Sequence, residues 1–169
     1  MSQRERGPSV LRIVIAVVVL LALVGLMLGI DALQRRRTES KDVTVEAGSV
    51  PIYVDGRLVG GFGAAGMEQL EQVSFVDAEE GKTQEGWLLS DVLLLYVKKG
   101  ALPGAEIEVS SSSRDRAVRL AWDEVRDPDN KVMFDLSGRG TLKLVSLLER
   151  LDVRDEWIQD VDRIEVFKP

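Results

Sequence analysis

Hydrophobic and polar residues alternate with a period of two over much of the chain after residue 42, a pattern typical of strands with one buried face. Val43 and Val45 begin the alternation. Ile52 and Val54 then precede Asp55-Gly56, and Leu58 and Val59 follow it. Because Asp-Gly between two such runs suits a tight turn, this segment is predicted to form a β-hairpin.

Two helices are expected among these strands. A short one is predicted over residues 62–72, with Met67 and Leu70 on one side, followed by a strand over 73–76. A clearer helix is indicated by apolar residues at helical spacing, namely Leu89, Val92, Leu93, Tyr96 and Val97. Ser90 is its expected N-cap and Gly100 its C-terminal glycine, and this helix should form the spine of the core.

Further strands are predicted over residues 105–110, 117–121, 131–136, 141–147 and 161–167. Polar turn segments separate them at 110–116, 127–130 and 137–140. Many short strands with few helices predict an α+β domain over residues 43–169.

The N-terminal part of the chain has a different pattern. Residues 13–30 read IVIAVVVLLALVGLMLGI, without a charge or an amide. A helix of this length would span about 27 Å, close to the ~30 Å of a bilayer's hydrocarbon core. We therefore expect a tail over 1–12, a transmembrane helix over 13–30, a linker over 31–42 and one domain over 43–169. A cleaved signal peptide is the alternative, but its apolar stretch is usually shorter and ends in a small-residue cleavage site.

The charges that flank the apolar run bear on its orientation. Arg4, Arg6 and Arg12 precede the run, and Arg35, Arg36, Arg37 and Lys41 follow it. Basic residues favour the cytoplasmic side, and the two flanks nearly balance. A very short N-terminal tail favours a cytoplasmic N-terminus, hence a single-pass inner-membrane protein with its domain in the periplasm. Gly25 and Gly29 form a G-x-x-x-G step that can pack against a partner helix.

The amino-acid composition excludes several kinds of functional site. The chain has 22 Lys+Arg and 28 Asp+Glu, and it contains no cysteine and no histidine. The acidic excess lies in residues 43–169, and this part of the chain has no run rich in lysine or arginine, so no nucleic-acid partner is expected for the domain. Disulfides, thiolate nucleophiles, Cys or His metal sites and Ser/His triads are excluded, since each needs one of the two missing side chains.

The order of patterns from Gly86 onward resembles the molybdopterin-binding domain of the sulfite-oxidase-like oxidoreductases. The resemblance lies in a Gly-Trp step before a Leu-rich helix, then a strand, a polar turn and further strands, closing on a last strand. These features are found at 86–94, 105–109, 117–120, 132–134 and 157–166, and the likeness covers about 110 residues from Pro51 onward. It implies a mixed α+β fold of redox ancestry.

The departures from this family matter for function. Active members use a cysteine thiolate to ligate molybdenum, expected here before Gly86, and residues 73–77 offer none. The family's polar turn corresponds here to residues 111–116. Arg114 and Arg116 in this turn, together with Arg139, are weak candidates for holding an anion, because guanidinium suits phosphate and carboxylate. Solvated loop charges are the alternative interpretation.

Other motifs have simpler interpretations. Carboxylate groups at 77–80, 123–124, 127–129, 152–156 and 160–162 are expected to be solvated, although paired carboxylates can perform acid–base chemistry. The stretch 127–130 suits a turn better than a calcium loop, and the glycine-rich stretch 59–66 matches no phosphate-binding motif. Trp87, Trp122 and Trp157 are expected in the core or as domain-surface anchors.

These observations favour a non-catalytic, single-pass membrane protein whose domain acts as an accessory or stabilising subunit of a larger bacterial membrane complex, with electron transfer suggested by the redox ancestry. Other membrane-protein subunits are the expected partners, and no catalytic residue, metal or cofactor is expected. The alternative is a membrane-anchored oxidoreductase or an anion- or pterin-binding protein built on the same domain.

Overall fold

The computed structural model describes residues 43–169, which form one compact unit. The predicted tail, transmembrane helix and linker, with Gly25 and Gly29, lie outside the described residues. Within 43–169, no helix is both long enough and apolar enough to cross a bilayer.

Strands outnumber helices in the described region. In chain order the elements are β1 (Val50–Val54), β2 (Arg57–Phe62), α1 (Ala64–Met67), β3 (Val73–Val76), β4 (Thr83–Leu88), α2 (Leu89–Tyr96), β5 (Glu106–Ser111), β6 (Arg116–Ala121), α3 (Trp122–Arg126), β7 (Met133–Leu136), β8 (Leu142–Val145) and β9 (Arg163–Phe167). Short 3-10 turns lie at Lys99–Ala101, Ser112–Arg114 and Glu149–Leu151. The predicted α+β class is confirmed.

A five-stranded sheet has the order β2-β1-β9-β5-β6. The pairing of β1 with β9 is parallel, and the other pairings are antiparallel. The predicted hairpin joins β1 to β2, with φ of 48° at Asp55 and 75° at Gly56. Positive φ at both turn residues matches the twist of the strands, which is why Asp-Gly serves there.

A four-stranded antiparallel sheet has the order β3-β4-β7-β8. The outer side of β8 is covered by the segment before β9, where the Leu144 amide donates to the Ile158 carbonyl at 2.9 Å. Strand β4 was not predicted, because Thr83, Gln84 and Glu85 lack a hydrophobic alternation. Gly86 in this strand is required by packing, since a Cβ there would lie 1.8 Å from the Phe134 carbonyl oxygen.

Helix α2 is the spine of the core, as predicted, with Leu89, Val92 and Leu93 fully buried. Its predicted ends were wrong. The N-cap position is Leu88 rather than Ser90, and the Leu89 amide donates to the Val132 carbonyl at 2.9 Å. The tertiary contact thus replaces a side-chain cap, and Gly100 belongs to the separate 3-10 turn.

The helix predicted over 62–72 is limited to Ala64–Met67. Phe62 instead ends β2, where its buried ring meets that of Trp87 edge-on, with centroids 6.0 Å apart. The nearby glycine-rich stretch also has a packing role, because a Cβ on Gly60 would lie 2.3 Å from the ring of Tyr96. The three tryptophans are buried, which confirms their assignment to the core.

Candidate functional site

The polar turn after β5 is fixed by a carboxylate from the far end of the chain. Asp162 accepts hydrogen bonds from the Ser112 amide, at 2.8 Å, and from the Ser112 hydroxyl. Asp115 then takes a left-handed conformation, with φ of 51°, which reverses the chain into β6. This loop geometry places Arg114 and Arg116 on either side of the reversal, facing the segment that precedes β9.

Two of the three predicted arginines meet on one carboxylate. Arg114 Nε lies 2.7 Å from Asp160 Oδ2, and Arg139 Nη2 lies 3.2 Å from Asp160 Oδ1. The Thr141 hydroxyl donates to the same carboxylate at 2.7 Å. Thr141, and after it Arg114, hold the pKa of Asp160 below its ordinary value. Asp160 is therefore a structural counter-ion, contrary to the expectation that it would be simply solvated.

Arg116 lies apart from this pair, and its Nη1 donates to the backbone carbonyl of Asp155. No carboxylate in residues 43–169 forms an ion pair with Arg116. The structure thus separates the predicted group of three, because Arg114 and Arg139 share Asp160 while Arg116 contacts only a neutral oxygen.

Arg154 lies near Arg116, where both residues line one concavity, although the sequence did not single out Arg154. Its Nε and Nη2 each lie 3.0 Å from Asp77 Oδ2, and its Nη1 lies 3.0 Å from Glu80 Oε2. Its guanidinium carbon lies 5.6 Å from the centre of the Trp157 ring, within cation–π range. Arg154 therefore holds the segment before β9 against the loop between β3 and β4.

These residues surround a shallow concavity of about 180 Å³, lined by Arg114, Arg116, Arg154, Asp155, Trp157 and Gln159. Three guanidinium groups could together hold a carboxylate or a phosphate. Two of the three already have carboxylate partners, however, so an incoming anion would compete with Asp160 and Asp77. Arg139 does not line the concavity.

A polar network continues from Arg154 across one face of the four-stranded sheet. Asp77 is 1% exposed and accepts hydrogen bonds from the amides of Glu79 and Glu80. Gln84 Nε2 lies 3.4 Å from Asp77, and Lys143 Nζ lies 3.0 Å from Gln84 Oε1. Lys143 also pairs with Asp135 at 2.8 Å, which completes a network of two ion pairs joined through Gln84.

The burial of Asp77 corrects the expectation of a solvated carboxylate. The Glu80 amide makes the largest contribution to holding the pKa of Asp77 below its ordinary value, and the side chain of Arg154 adds to it. Asp77 is therefore an ionised, internally paired group. Sequence reasoning could not find it, because Arg154 lies 77 residues further along the chain.

The other carboxylate groups have local roles. Asp127 accepts from the Asp129 amide at 3.0 Å, which confirms a turn at this position. Glu124 accepts from the Ala121 amide at 2.8 Å at the start of α3, and also pairs with Arg150. In the described part of the chain, no three acidic side chains are grouped so that they could hold a metal ion.

The residues present do not fit the molybdenum cofactor that the family resemblance implies. Molybdenum there needs a thiolate, and the 169-residue chain contains no cysteine. Strand β3 and Asp77, which occupy the expected place before Gly86, contribute a hydrophobic edge and an ion pair instead.

Comparison with known proteins adds no family. No family model matches the chain, and no curated protein matches it.

Proposed function

We propose that the chain is a non-catalytic, single-pass membrane protein whose domain serves as an accessory or stabilising subunit of a larger bacterial membrane complex. The observation that carries the proposal is the internal pairing of the strongest candidate site. Arg114 and Arg139 are paired with Asp160, and Arg154 with Asp77 and Glu80, so these groups hold the domain together. Charged side chains that already have internal partners are less available to a substrate, which favours a structural role over a catalytic one.

The anchor and its placement belong to the same proposal. Residues 13–30 would hold the chain in the inner membrane with the domain in the periplasm, and Gly25 and Gly29 would face another subunit. We further propose that the domain is a cofactor-free relative of the sulfite-oxidase-like molybdopterin-binding domain. Its support is the order of sequence patterns, with a strand and a Leu-rich helix followed by paired strands.

Purification from native membranes tests the subunit role. The intact chain, carrying an affinity tag, would be extracted in mild detergent, and proteins that co-purify in constant ratio would be identified by mass spectrometry. We expect at least one other membrane protein in the complex. A chain that elutes alone as a monomer would contradict the proposal.

A matched pair of variants tests the predicted helix contact. Gly25→Leu/Gly29→Leu should weaken co-purification, because the larger side chains keep helices apart, whereas Gly25→Ala/Gly29→Ala should preserve it. Unchanged partners in the leucine variant would show that these glycines are not the contact.

One observation favours a second function, the binding of a small anion or a pterin. Arg114, Arg116 and Arg154 line the same concavity, and Arg116 offers guanidinium hydrogens that no described carboxylate occupies. Metal analysis and a fluorescence spectrum of the protein purified from its source distinguish the two functions. Stoichiometric molybdenum or pterin would overturn the subunit proposal in favour of this one.

A further inference from the structure

Strand β3 has one unpaired edge. It pairs with β4 on one side, and the Asp77 amide donates to the Lys82 carbonyl at 2.9 Å just beyond the last strand pair. Hydrogen-bonded pairs alternate along an antiparallel ladder, so Phe75 and Val73 also bond to β4. The amide and carbonyl groups of Ser74 and Val76 therefore point away from the sheet, and no backbone group in residues 43–169 pairs with them.

Within the described residues, this edge lacks the usual protection. Edge strands are commonly blunted by lysine, proline, a bulge or a covering segment. The other edge strand of this sheet, β8, is covered by residues around Ile158. Strand β3 reads Val-Ser-Phe-Val, without a charge, and the Val76 side chain is 61% exposed. It therefore offers an open template for a further strand.

A groove continues the edge toward the N-terminal end of β3. It measures about 400 Å³ and is lined by Met67, Glu68, Leu70, Gln72 and Trp87. Continuing the β3–β4 register by one residue sets Gln72 beside Trp87. A strand added along β3 would thus extend directly into this groove and could place an apolar side chain there.

Trp87 supplies an independent sign of a missing partner. The residue is 6% exposed, yet its indole Nε1 has no hydrogen-bond partner within residues 43–169. Buried donors are nearly always satisfied, and an unpaired one destabilises the protein. An acceptor brought by a bound segment into the groove that Trp87 lines would remove that cost.

The acidic charge around the β3 edge indicates that its partner is basic. Exposed acidic side chains surround β3 in the sequence and on β4, namely Glu68, Glu71, Glu79, Glu80 and Glu85. Lys82 is the one basic residue between 66 and 85, and it pairs with Glu80 at 2.6 Å. Arg154 pairs with Glu80 and Asp77, so Glu68, Glu71 and Glu85 carry most of the uncompensated acidic charge. A basic segment would be attracted, whereas a second copy of this acidic edge would be repelled.

We propose that the β3 edge binds an extended segment of a partner protein in which basic residues alternate with apolar ones. The segment pairs with the backbone of Ser74 and Val76 and places an apolar side chain beside Trp87, as in other cases of strand addition. This inference rests on the proposed subunit role and names the surface through which the domain meets its partner.

The test uses the intact chain in detergent and an eight-residue peptide of alternating lysine and valine. Hydrogen exchange at the Ser74 and Val76 amides is measured with and without the peptide, and affinity is measured by titration. We expect saturable binding, slowed exchange at both amides, and weakening as salt is raised. A glutamate–valine peptide of the same length should not bind.

Two ways of preventing backbone pairing, one in the protein and one in the peptide, make the experiment specific to the β3 edge. Ser74→Pro removes an outward amide without taking a bond from β4, and Ser74→Ala keeps that amide as the matched control. We expect binding about tenfold weaker or worse for the proline variant and unchanged for the alanine variant. A lysine–valine peptide with N-methyl groups on its pairing amides gives the same test on the unaltered protein, should the proline disturb folding.

Equal binding to the proline variant and by the N-methylated peptide, or no slowing at the two amides, would overturn the inference. Slowed exchange that depends on protein concentration without peptide would identify a second copy as the occupant and also overturn it. These outcomes are separate from the subunit role. The subunit role fails if the intact chain has no membrane partner. If Ser74→Pro leaves the native partners in place, the subunit role survives and the β3 edge is not the surface that binds them.

Discussion

Both sheets bury hydrophobic side chains, and the four-stranded sheet adds a polar network that ends on the buried Asp77. In the five-stranded sheet, central strand β9 places Ile164 beside Val109 and Ile52, all fully buried. In the four-stranded sheet, one face carries Gln84, Asp135 and Lys143 in a polar network. Burial of hydrocarbon is non-directional and depends on the volume of the buried side chains, whereas ion pairs and hydrogen bonds require each partner in place. Stability should therefore depend on side-chain volume at the centre of the first sheet, and also on ionisation at the polar network of the second.

The largest expected effect comes from reducing the apolar core of the five-stranded sheet. Ile164→Ala should lower the free energy of unfolding by about 2–5 kcal/mol, because it removes buried methyl groups and leaves a cavity. Urea denaturation of the detergent-solubilised chain, followed by tryptophan fluorescence, measures the change. Ile164→Val is the matched control and should cost about 0.5–1.5 kcal/mol. Equal effects of the two substitutions would show that volume at this position does not control stability.

How much of the fold was predictable depends on whether an element is determined by its local sequence or by distant neighbours. The hairpin around Asp55 and Gly56, the strand before Asp77 and the apolar face of α2 depend on local patterns, and each was predicted. Strand β4 was not predicted, since its buried Gln84 and Gly86 are explained only by neighbours that the sequence does not reveal.

The candidate site was less predictable for the same reason. Arg114 and Arg139 were singled out as possible anion-site residues, but their common partner Asp160 lies 46 and 21 residues away, respectively. Asp77 and Arg154 are separated further still. Residue type identifies a charge, and only the fold determines whether that charge has an internal partner.

The next largest effect should appear at acid pH in the four-stranded sheet. The pKa of Asp77 is lower in the folded protein than in the unfolded chain, so its stabilising contribution is present above about pH 4 and is lost as the pH falls further. Asp77→Asn removes this ionisation. We expect the variant to be less stable than the parent at pH 7, with the difference shrinking toward pH 3.

Denaturation midpoints measured between pH 7 and pH 3 test this expectation. Asp123→Asn is a suitable control, because Asp123 is exposed and its ion pair among residues 43–169 is with Arg126, three positions further along α3. It should follow the parent across the whole range. A constant difference between Asp77→Asn and the parent at every pH would show that the hydrogen-bond geometry at position 77 matters more than its charge.

The smallest effect is expected for an ion pair on the open surface of the five-stranded sheet. Arg119 Nε lies 2.7 Å from Glu108, but the arginine side chain is 60% exposed. Exposed pairs are screened by solvent and salt and contribute little. Arg119→Gln should leave the denaturation midpoint close to that of the parent, whereas Arg154→Gln should lower it clearly, because Arg154 is the partner of buried Asp77. If the two glutamine variants were equally destabilised, the polar network of the four-stranded sheet would count for no more than a surface pair, and the contrast between the two sheets would fail.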